Sequence, residues 1–241
     1  MIGILGGMGT QAGLDFCNKL AILYRGKIDQ KYPLFVLYNK SNIPGRPESI
    51  GVSNKRLSAP NVYKESKKKY TLVFKSLLAG CKLLEKSKCK FIVIPCNTAH
   101  YWYEDLKKKI KLPIINMPKE VFNHTMKKCK KDSHIGLLAT EGTLKTGVYS
   151  KFFDKRYNLV YPDSISQKNS VNKAIKLVKM GKVKKTTKLL LFCYGYGARA
   201  KARCTSLMRR PICTAVELGS TSFRISMAAM QQRVYEMAKV T

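Results

Sequence analysis

Short apolar segments alternate with longer amphipathic segments along this chain, and this alternation constrains its fold more than any other feature. The apolar segments 2–5, 33–39 and 91–95 each end at glycine or at polar residues, and a helical pattern follows each of them along the chain. Such alternation is typical of parallel strands joined by helices that cover the faces of a sheet. The sequence therefore predicts an α/β fold.

The expected helices are 10–26, 64–87, 98–109, 119–129, 144–153 and 171–180. A short strand is expected at 113–116, and a further helix and strand between 182 and 203. In the helix over 64–87, five leucines are expected on the apolar side, namely Leu72, Leu77, Leu78, Leu83 and Leu84.

The same pattern starts again at residues 135–139. We therefore expect two similar, pseudo-symmetric domains, each a mainly parallel sheet flanked by helices. The expected bounds are 1–117 for the first lobe and 118–224 for the second, with a C-terminal helix over 225–241 that returns to the first lobe. Because ligands of parallel α/β folds bind beyond the carboxyl ends of strands, the candidate sites are the strand-exit turns, which are 6–10, 40–46, 96–100 and 140–143.

A large positive charge raises the alternative of a nucleic-acid-binding protein. The 241 residues include 46 Lys and Arg but 14 Asp and Glu, which gives a formal net charge of +32. The lysines are spread in short runs that interrupt amphipathic helical patterns, as expected of solvated helix faces. Helix-turn-helix, zinc-finger and RNP patterns are missing from the sequence. We therefore expect no dedicated nucleic-acid partner, although a cationic field also attracts small anionic substrates.

Cysteine usage and hydropathy narrow the class of protein further. The eight cysteines are too sparse for a disulfide scaffold and include no Cys-x-x-Cys pair, so neither that scaffold nor a zinc or other metal site is expected. The sequence contains no run of 18 consecutive apolar residues, so we expect no transmembrane helix. The N-terminus lacks the basic start of a signal peptide, and we expect a protein of the reducing cytoplasm.

The sharpest candidate for chemistry is Cys96, where an apolar strand runs directly into a cysteine. A helix is expected to begin just after it, and the first free amides of a helix stabilise a thiolate. Asn97 and Thr98 add side-chain donors at the same turn. Two alternatives stay open, namely a buried structural cysteine with Thr98 as the helix N-cap and nucleophilic Cys–His chemistry through His100.

Two turns and one arginine indicate an anionic ligand. The turn at 6–10 offers Met8, Gly9 and Thr10 next to a predicted helix, and the turn at 139–143 offers Thr143 at the corresponding place in the second half. Tight strand-to-helix geometry is the alternative explanation of the glycines. Arg46 suits bidentate carboxylate binding, although it could equally be a surface cation. Together with Cys96, these features suggest chemistry on a small carboxylate-bearing molecule.

These features resemble those of the aspartate/glutamate racemase family, and within that family the chain looks most like an aspartate racemase. The resemblance runs in order from residue 1 to about 190. Three stretches carry it, MIGILGGMGT (1–10), PCNTAH (95–100) and GLLATEGTLKTG (136–147). The segments NIPGR (42–46) and VKMG (178–181) fit more loosely.

The resemblance implies cofactor-independent racemisation of an acidic amino acid in a cleft between two α/β domains. It implies that Cys96 is one of two thiols that remove and return the α-proton from opposite faces. It also implies a homodimer, and no pyridoxal phosphate. The substrate-binding positions it implies are Met8, Gly9, Thr10, Asn97, Thr98 and Thr143, with Arg46 and Lys179 for the carboxylates.

The second thiol departs from the family pattern, which places it in a Gly-Cys-Thr-Glu motif after an apolar strand. Cys204 is the candidate we choose because it lies 108 residues after Cys96. Cys213 and Ser220 are poorer alternatives, and Ser220 would leave the second acid/base missing.

After residue 191 the chain also changes from lysine to arginine usage, for which a shifted frame, an imperfectly assigned sequence and true divergence are all open explanations. The family further has Pro at the position of Thr10 and Asp at that of Gly45.

Three functional hypotheses follow. The first is racemisation of an acidic amino acid, L- and D-aspartate above all. The second is an impaired homologue that binds such an acid or performs single-cysteine chemistry on a related acid. The third, from a different class, is a basic nucleic-acid-binding protein.

Overall fold

The computed structural model describes residues 1–24, 28–46, 49–50, 60–180, 213–216, 233–234 and 237. The predicted elements between 182 and 203 and Cys204 lie outside these residues. So does most of the predicted C-terminal helix, of which residues 233, 234 and 237 are helical. The chain divides into two compact units.

The first unit comprises Met1–Met117 together with Met230–Thr241. The described strands of its sheet are parallel, namely β1 (Ile2–Gly6), β2 (Phe35–Asn39) and β3 (Phe91–Val93), in the order β2-β1-β3. Every residue of β1 is buried, because a central parallel strand has neighbours along both edges and helices over its faces. This confirms the α/β prediction for the first half.

Two long helices pack against β1, α1 (Thr10–Tyr24) and α2 (Pro60–Lys86). Val73 and Leu77 are fully buried on α2, one helical turn apart. The expectation that Leu72 and Leu83 share this buried face is wrong, since they are 48% and 41% exposed. The described lysines of α2 that face solvent are Lys67, Lys68, Lys75, Lys82 and Lys86, which confirms that these charges lie on a solvated helix face.

The segment after β3 is less regular than the sequence pattern predicts. Instead of one helix over 98–109, a 3₁₀ helix at Thr98–Trp102 is followed by a short α3 (Tyr103–Lys107). The predicted strand at 113–116 is reduced to a single parallel bridge between Ile92 and Ile114. The local pattern identified the apolar residues but not the hydrogen-bonding partners on which regular elements depend.

The second unit, Pro118–Ala229, repeats this topology. Its parallel strands are β4 (His134–Leu138), β5 (Asn158–Val160) and β6 (Cys213–Val216), in the order β5-β4-β6. Among the described strands of each unit, the first along the chain is central, the second lies on one side and the third on the other. β6 is therefore the topological counterpart of β3, and the prediction of two similar domains is confirmed at the level of strand order.

Six helical segments accompany these strands in the part of the second unit that the structure describes, the first of them beginning at Met117. They are α4 (Met117–Lys128), α5 (Glu141–Thr146), α6 (Ser150–Phe153), α7 (Ser164–Ser166), a π-helix (Gln167–Val171) and α8 (Asn172–Lys179). The single helix predicted over 144–153 is broken at Gly147, which caps α5 with a φ of +62°. None of the described helices combines the length and the apolar character needed to cross a bilayer.

Candidate active site

The strand exits of the first unit gather at one edge of its sheet. β1 pairs in parallel register with β2, with Gly6 opposite Asn39, and with β3, with Ile4 opposite Val93. The carboxyl ends of the three strands therefore meet, as expected for parallel strands. This register brings together three of the turns that the sequence singled out.

Gly7 lets the first two exits approach each other closely. Its φ is +91°, and a Cβ built there would lie 2.2 Å from the carbonyl carbon of Lys40. Only glycine fits such a position. Next to it, the Asn39 amide nitrogen donates to the Thr10 hydroxyl at 3.2 Å. Asn39 was not among the predicted site residues, although its place at the end of β2 was a signal for it.

Arg46 reaches back to the same turn. Its Nη2 donates to the Met8 carbonyl at 2.8 Å, across 38 positions of sequence. The guanidinium is half-buried, and its Nε is buried without a hydrogen-bond partner among the described residues. Arg46 is thus no free surface cation, and a guanidinium in this position keeps further N–H groups with which to bind an anion.

Cys96 follows β3 through a tight turn. Its N–H donates to the Ile94 carbonyl at 2.7 Å. This bond closes a three-residue γ-turn centred on Pro95, whose ring favours the required φ. The side chain is 8% exposed and belongs to the same buried cluster as Met8 and Ile43. The strand-exit position is therefore confirmed, but a five-residue 3₁₀ helix replaces the longer helix whose dipole was expected to stabilise the thiolate.

Asn97 and Thr98 lie directly after the thiol and are buried. The structure does not use Thr98 as the N-cap, because the residue before the 3₁₀ helix is Asn97 and its side chain makes no capping bond. That removes one structural explanation of the motif. Both residues remain candidates to contact a ligand at this edge of the sheet.

His100 is committed to the backbone. Its Nδ1 lies 2.9 Å from the Cys96 carbonyl oxygen, and its Nε2 lies 3.1 Å from the Met117 nitrogen. The expected alternative of Cys–His chemistry needs a ring nitrogen that accepts the thiol proton. With both nitrogens engaged in this way, the structure does not support that alternative.

The other thiols of the first unit are poorly suited to proton transfer. Burial raises the pKa of Cys17 and Cys89, and burial together with the Glu85 carboxylate raises the pKa of Cys81 to about 12. In the second unit, Cys129 is disulfide-bonded, with the bonding partner outside the described side chains. This bond does not favour the expected reducing location, which stays a prediction.

In the second unit, Thr143 lies at the exit of β4, as the sequence predicted, and it is buried. Thr140 is the N-cap of α5, and its hydroxyl accepts the Thr143 N–H at 3.2 Å. The two hydroxyl oxygens are 3.0 Å apart. The Thr143 amide is therefore already used in the cap, contrary to the expectation that this turn offers it to a ligand.

A buried amide supports this second turn, and the sequence analysis missed it. The Gln167 Nε2 donates to the Ala139 carbonyl and to the Asn172 side chain, each at 2.9 Å, and Asn172 donates to Glu141. The Gln167 Oε1 is buried without a partner among the described residues. Gln167 opens a π-helix, a feature often found near functional sites, but no sequence signal marked it.

The remaining predicted residues are not brought into a described site. Lys179 is exposed at the end of α8 in the second unit, and Cys204 lies outside the described residues. Cys204 also precedes β6 in the chain, whereas Cys96 follows the counterpart strand β3. Within the described part of the chain, no three His, Cys, Asp or Glu side chains gather as a metal site would require.

Comparison with known proteins gives a consistent family and fold. The model of the Asp/Glu/hydantoin racemase family matches residues 5–240. A broad-specificity amino-acid racemase of Bacillus subtilis is 28% identical over 159 residues, or 63% of this chain and 59% of that protein. A glutamate racemase of Corynebacterium diphtheriae is 33% identical over 79 residues, or 32% of this chain and 29% of that protein. The chain therefore matches less than two thirds of the length of either relative.

Two solved structures share the fold. The aspartate racemase of Picrophilus torridus superposes with a TM-score of 0.72 at 23% identity, covering 99% of this chain and 94% of the other. An aspartate racemase homologue from Pyrococcus horikoshii gives a TM-score of 0.67 at 17% identity, covering 99% and 98%. At these identities the likeness establishes the fold alone.

Proposed function

The chain belongs to the Asp/Glu/hydantoin racemase family, and we propose that it racemises a small acidic amino acid, aspartate in the first place, without pyridoxal phosphate. The observation that carries this proposal is the meeting of the Gly7 turn, Arg46 and Cys96 at one edge of the first sheet. A cation, backbone groups and a thiol at one place are what abstraction of a proton next to a carboxylate requires.

In the proposed reaction the Cys96 thiolate removes the α-proton of the substrate. The electron pair left on the α-carbon delocalises into the α-carboxylate, whose growing negative charge needs fixed donors and a nearby cation. Arg46 supplies the cation, and the turn at Met8, Gly9 and Thr10 supplies polar groups.

The rest of the proposed site follows the family resemblance. Asn97 and Thr98 would contact the substrate beside the thiol. Thr143 and Lys179 would contribute from the second unit, with the Thr143 hydroxyl rather than its amide as the donor. The second proton donor is proposed to be Cys204, which returns a proton to the opposite face.

One observation favours a second candidate, an enzyme with a single reacting thiol. β6 is the counterpart of β3, so the segment that corresponds to Cys96 follows Val216 in the chain. That segment contains Gly219, Ser220 and Thr221 and no cysteine. These residues lie outside the described part, and the argument is one of strand order alone. With serine there, the protein would remove and return a proton on one face only.

The experiment that separates the two candidates is proton exchange in deuterated water. Two-base racemisation converts L-aspartate into D-aspartate with deuterium at the α-carbon, without added cofactor. A single-thiol enzyme would place deuterium on one enantiomer without forming the other. The proposal of α-proton chemistry fails if neither aspartate nor glutamate exchanges its α-proton in the presence of the protein.

Three variants assign the thiols. Cys96→Ser should lower exchange by about 10²–10⁴-fold, the usual contribution of a positioned acid/base. Cys17→Ser, which changes a half-buried thiol on α1, is the matched control and should retain the wild-type rate. Cys204→Ser should abolish racemisation if that thiol is the second base, and an unchanged rate would remove it from the mechanism.

We also propose that the protein is a homodimer, as the family resemblance implies. Apolar side chains are exposed beside the edge strand β2, namely Ile28, Leu34 and Phe35, of which Leu34 is 75% exposed. A second copy of the chain would cover them. Light scattering of the native protein and of Leu34→Glu tests this, and a wild-type monomer at micromolar concentration would contradict it. Nothing among the described residues indicates a nucleic-acid partner, and the expectation that the protein has no dedicated one stays a prediction.

A further inference from the structure

We propose that His100 is a positioning residue which, as a neutral imidazole protonated on Nδ1, ties the peptide after Cys96 to the start of α4. The inference concerns the structure of the protein at neutral pH. Only its kinetic consequence rests on the proposed function, because that consequence requires Cys96 to transfer the proton.

Three distances decide the protonation state of the ring. Nε2 is 3.1 Å from the Met117 nitrogen and 3.4 Å from the Ile115 carbonyl oxygen, and Nδ1 is 2.9 Å from the Cys96 carbonyl oxygen. A backbone N–H can only donate, so Nε2 must accept from Met117 and carry no proton. Nδ1 then carries the proton and donates a hydrogen bond to the Cys96 carbonyl oxygen.

The other protonation states fit these distances worse. With the proton on Nε2, the ring would satisfy only the longer contact to Ile115 and would set the Nδ1 lone pair against the Cys96 carbonyl oxygen. A doubly protonated ring would point an Nε2 proton at the Met117 N–H. The ring is only 4% exposed, and an unmatched polar contact in such a place is costly.

This arrangement fixes the backbone of the reacting residue from both sides. The Cys96 N–H is held by the Ile94 carbonyl, and the Cys96 carbonyl is held by His100. With both backbone groups held, the direction in which the side chain leaves the backbone is set. His100 itself stacks against Tyr103, with ring centroids 6.3 Å apart and planes 16° from parallel.

The other end of the link is the start of a helix. Met117 is the first residue of α4 and the last residue of the first unit, and Pro118 follows it. The imidazole therefore spans from the strand exit that carries the thiol to the point where the chain leaves the first unit. A geometric constraint of this kind affects proton transfer more than substrate binding, because transfer depends on small displacements.

The first test is nitrogen NMR of the wild-type imidazoles near pH 7. The chain has three histidines, so His124→Gln and His134→Gln assign the signals by elimination without changing His100. We expect one ring with a protonated Nδ1 and a bare Nε2. A His100 ring that is protonated on Nε2, or on both nitrogens, would overturn the inference. This measurement does not require any His100 variant to fold.

The second test is amide exchange at Met117. His100→Phe keeps a flat ring and removes both hydrogen-bonding nitrogens, and it should raise the exchange rate of the Met117 amide at least tenfold. Amides in the middle of α4 serve as the control and should keep their rates. An unchanged rate at Met117 in the folded variant would show that the link to the helix does not exist.

The third test uses the racemisation or exchange rate. His100→Phe should lower kcat on the order of 10–100-fold with a smaller change in KM. His100→Asn restores a donor that reaches the Cys96 carbonyl and should recover part of kcat. A folded His100→Phe with wild-type kcat would refute the positioning role. If the wild-type protein itself shows no turnover, the proposed function fails, while the NMR and exchange measurements still decide the inference.

Discussion

The exit of β1 in the first unit and the exit of β4 in the second occupy the same place in the repeated topology, but they are held in different ways. The first turn depends on distant residues, since Arg46 binds the Met8 carbonyl and Asn39 binds Thr10. The second turn caps itself through Thr140 and Thr143 and is supported by Gln167. Repetition of a strand order therefore does not repeat the chemistry at its edge.

The difference matters for what each turn can bind. The first turn lies at the sheet edge where the Arg46 guanidinium and the Cys96 thiol also lie. In the second turn the Thr143 amide is already bonded, so only side-chain hydroxyls remain to meet a ligand. The first turn therefore lies beside a cation that can stabilise negative charge, whereas the second turn offers neutral hydroxyl groups.

The largest expected effect contrasts Gly7 and Gly147, the two glycines with positive φ among the described residues. Gly7→Ala forces a Cβ to within 2.2 Å of the Lys40 backbone, and Gly147→Ala meets only the Ser150 hydroxyl at 2.9 Å. We expect Gly7→Ala to destabilise by about 2–5 kcal/mol, because the backbone clash adds to the strain of positive φ. Gly147→Ala should cost about 1 kcal/mol. Urea unfolding measures both, and equal effects would contradict the difference.

The second prediction concerns the two cations proposed to bind carboxylate. Arg46→Lys removes the guanidinium, whose several N–H groups can bind the Met8 carbonyl and an anion at the same time. The substitution should weaken substrate binding by about 1.5–3 kcal/mol, which is a roughly 10–100-fold increase in KM. It should also lower the thermal midpoint. Lys179→Met should raise KM without moving the midpoint, because Lys179 is exposed. An Arg46→Lys protein with wild-type KM would remove Arg46 from the site.

The third prediction tests the support of the second turn. Gln167→Leu leaves the Ala139 carbonyl without its buried donor, and we expect a loss of about 1–2 kcal/mol in the free energy of unfolding. In the first unit, Asn39→Ala removes an exposed hydrogen bond and should change stability by less than about 0.5 kcal/mol. Denaturant titration distinguishes the two. A larger effect at Asn39 than at Gln167 would reverse the comparison.

The smallest effect is a pH dependence from the second unit. Partial burial, followed by the nearby Lys128 and Lys127, lowers the pKa of His124 below its usual 6.5. The unfolded chain therefore binds a proton more readily, so stability present above pH 6.5 is lost as the pH falls through the folded-state pKa. His124→Gln should flatten the decline of the thermal midpoint between pH 7 and pH 5. An identical decline in wild type and variant would exclude this contribution.

Much of the fold could be predicted because the relevant signals are local. The buried strand β1 ends at a glycine turn, and the helix α1 starts at Thr10, as its pattern predicts. The breaks in the predicted helices escaped prediction, because Gly147 and the 3₁₀ helix at Thr98–Trp102 reflect competition between local pattern and tertiary hydrogen bonds. Leu72 and Leu83 were misplaced for a similar reason, since the neighbours of α2 decide which of its apolar positions are covered.

The candidate site divides in the same way. The position of Cys96 at a strand exit could be predicted, because an apolar run followed by a helical pattern is visible in the sequence. The bond from Arg46 to Met8 spans 38 positions, and sequence spacing alone does not predict such a contact. Gln167 left no signal, because a single glutamine in a helical segment looks the same whether it is exposed or buried.

By itself the sequence determined the alternation of strands and helices, the repeat, and the strand exits where chemistry can occur, because these depend on patterns within a few residues. Only the tertiary structure decided that His100 bonds to backbone groups, that Thr143 has already used its amide, and that β6 pairs with β4. Each of these depends on partners far apart in the chain. Their pairing is set by packing and hydrogen bonding across the fold, which local patterns do not encode.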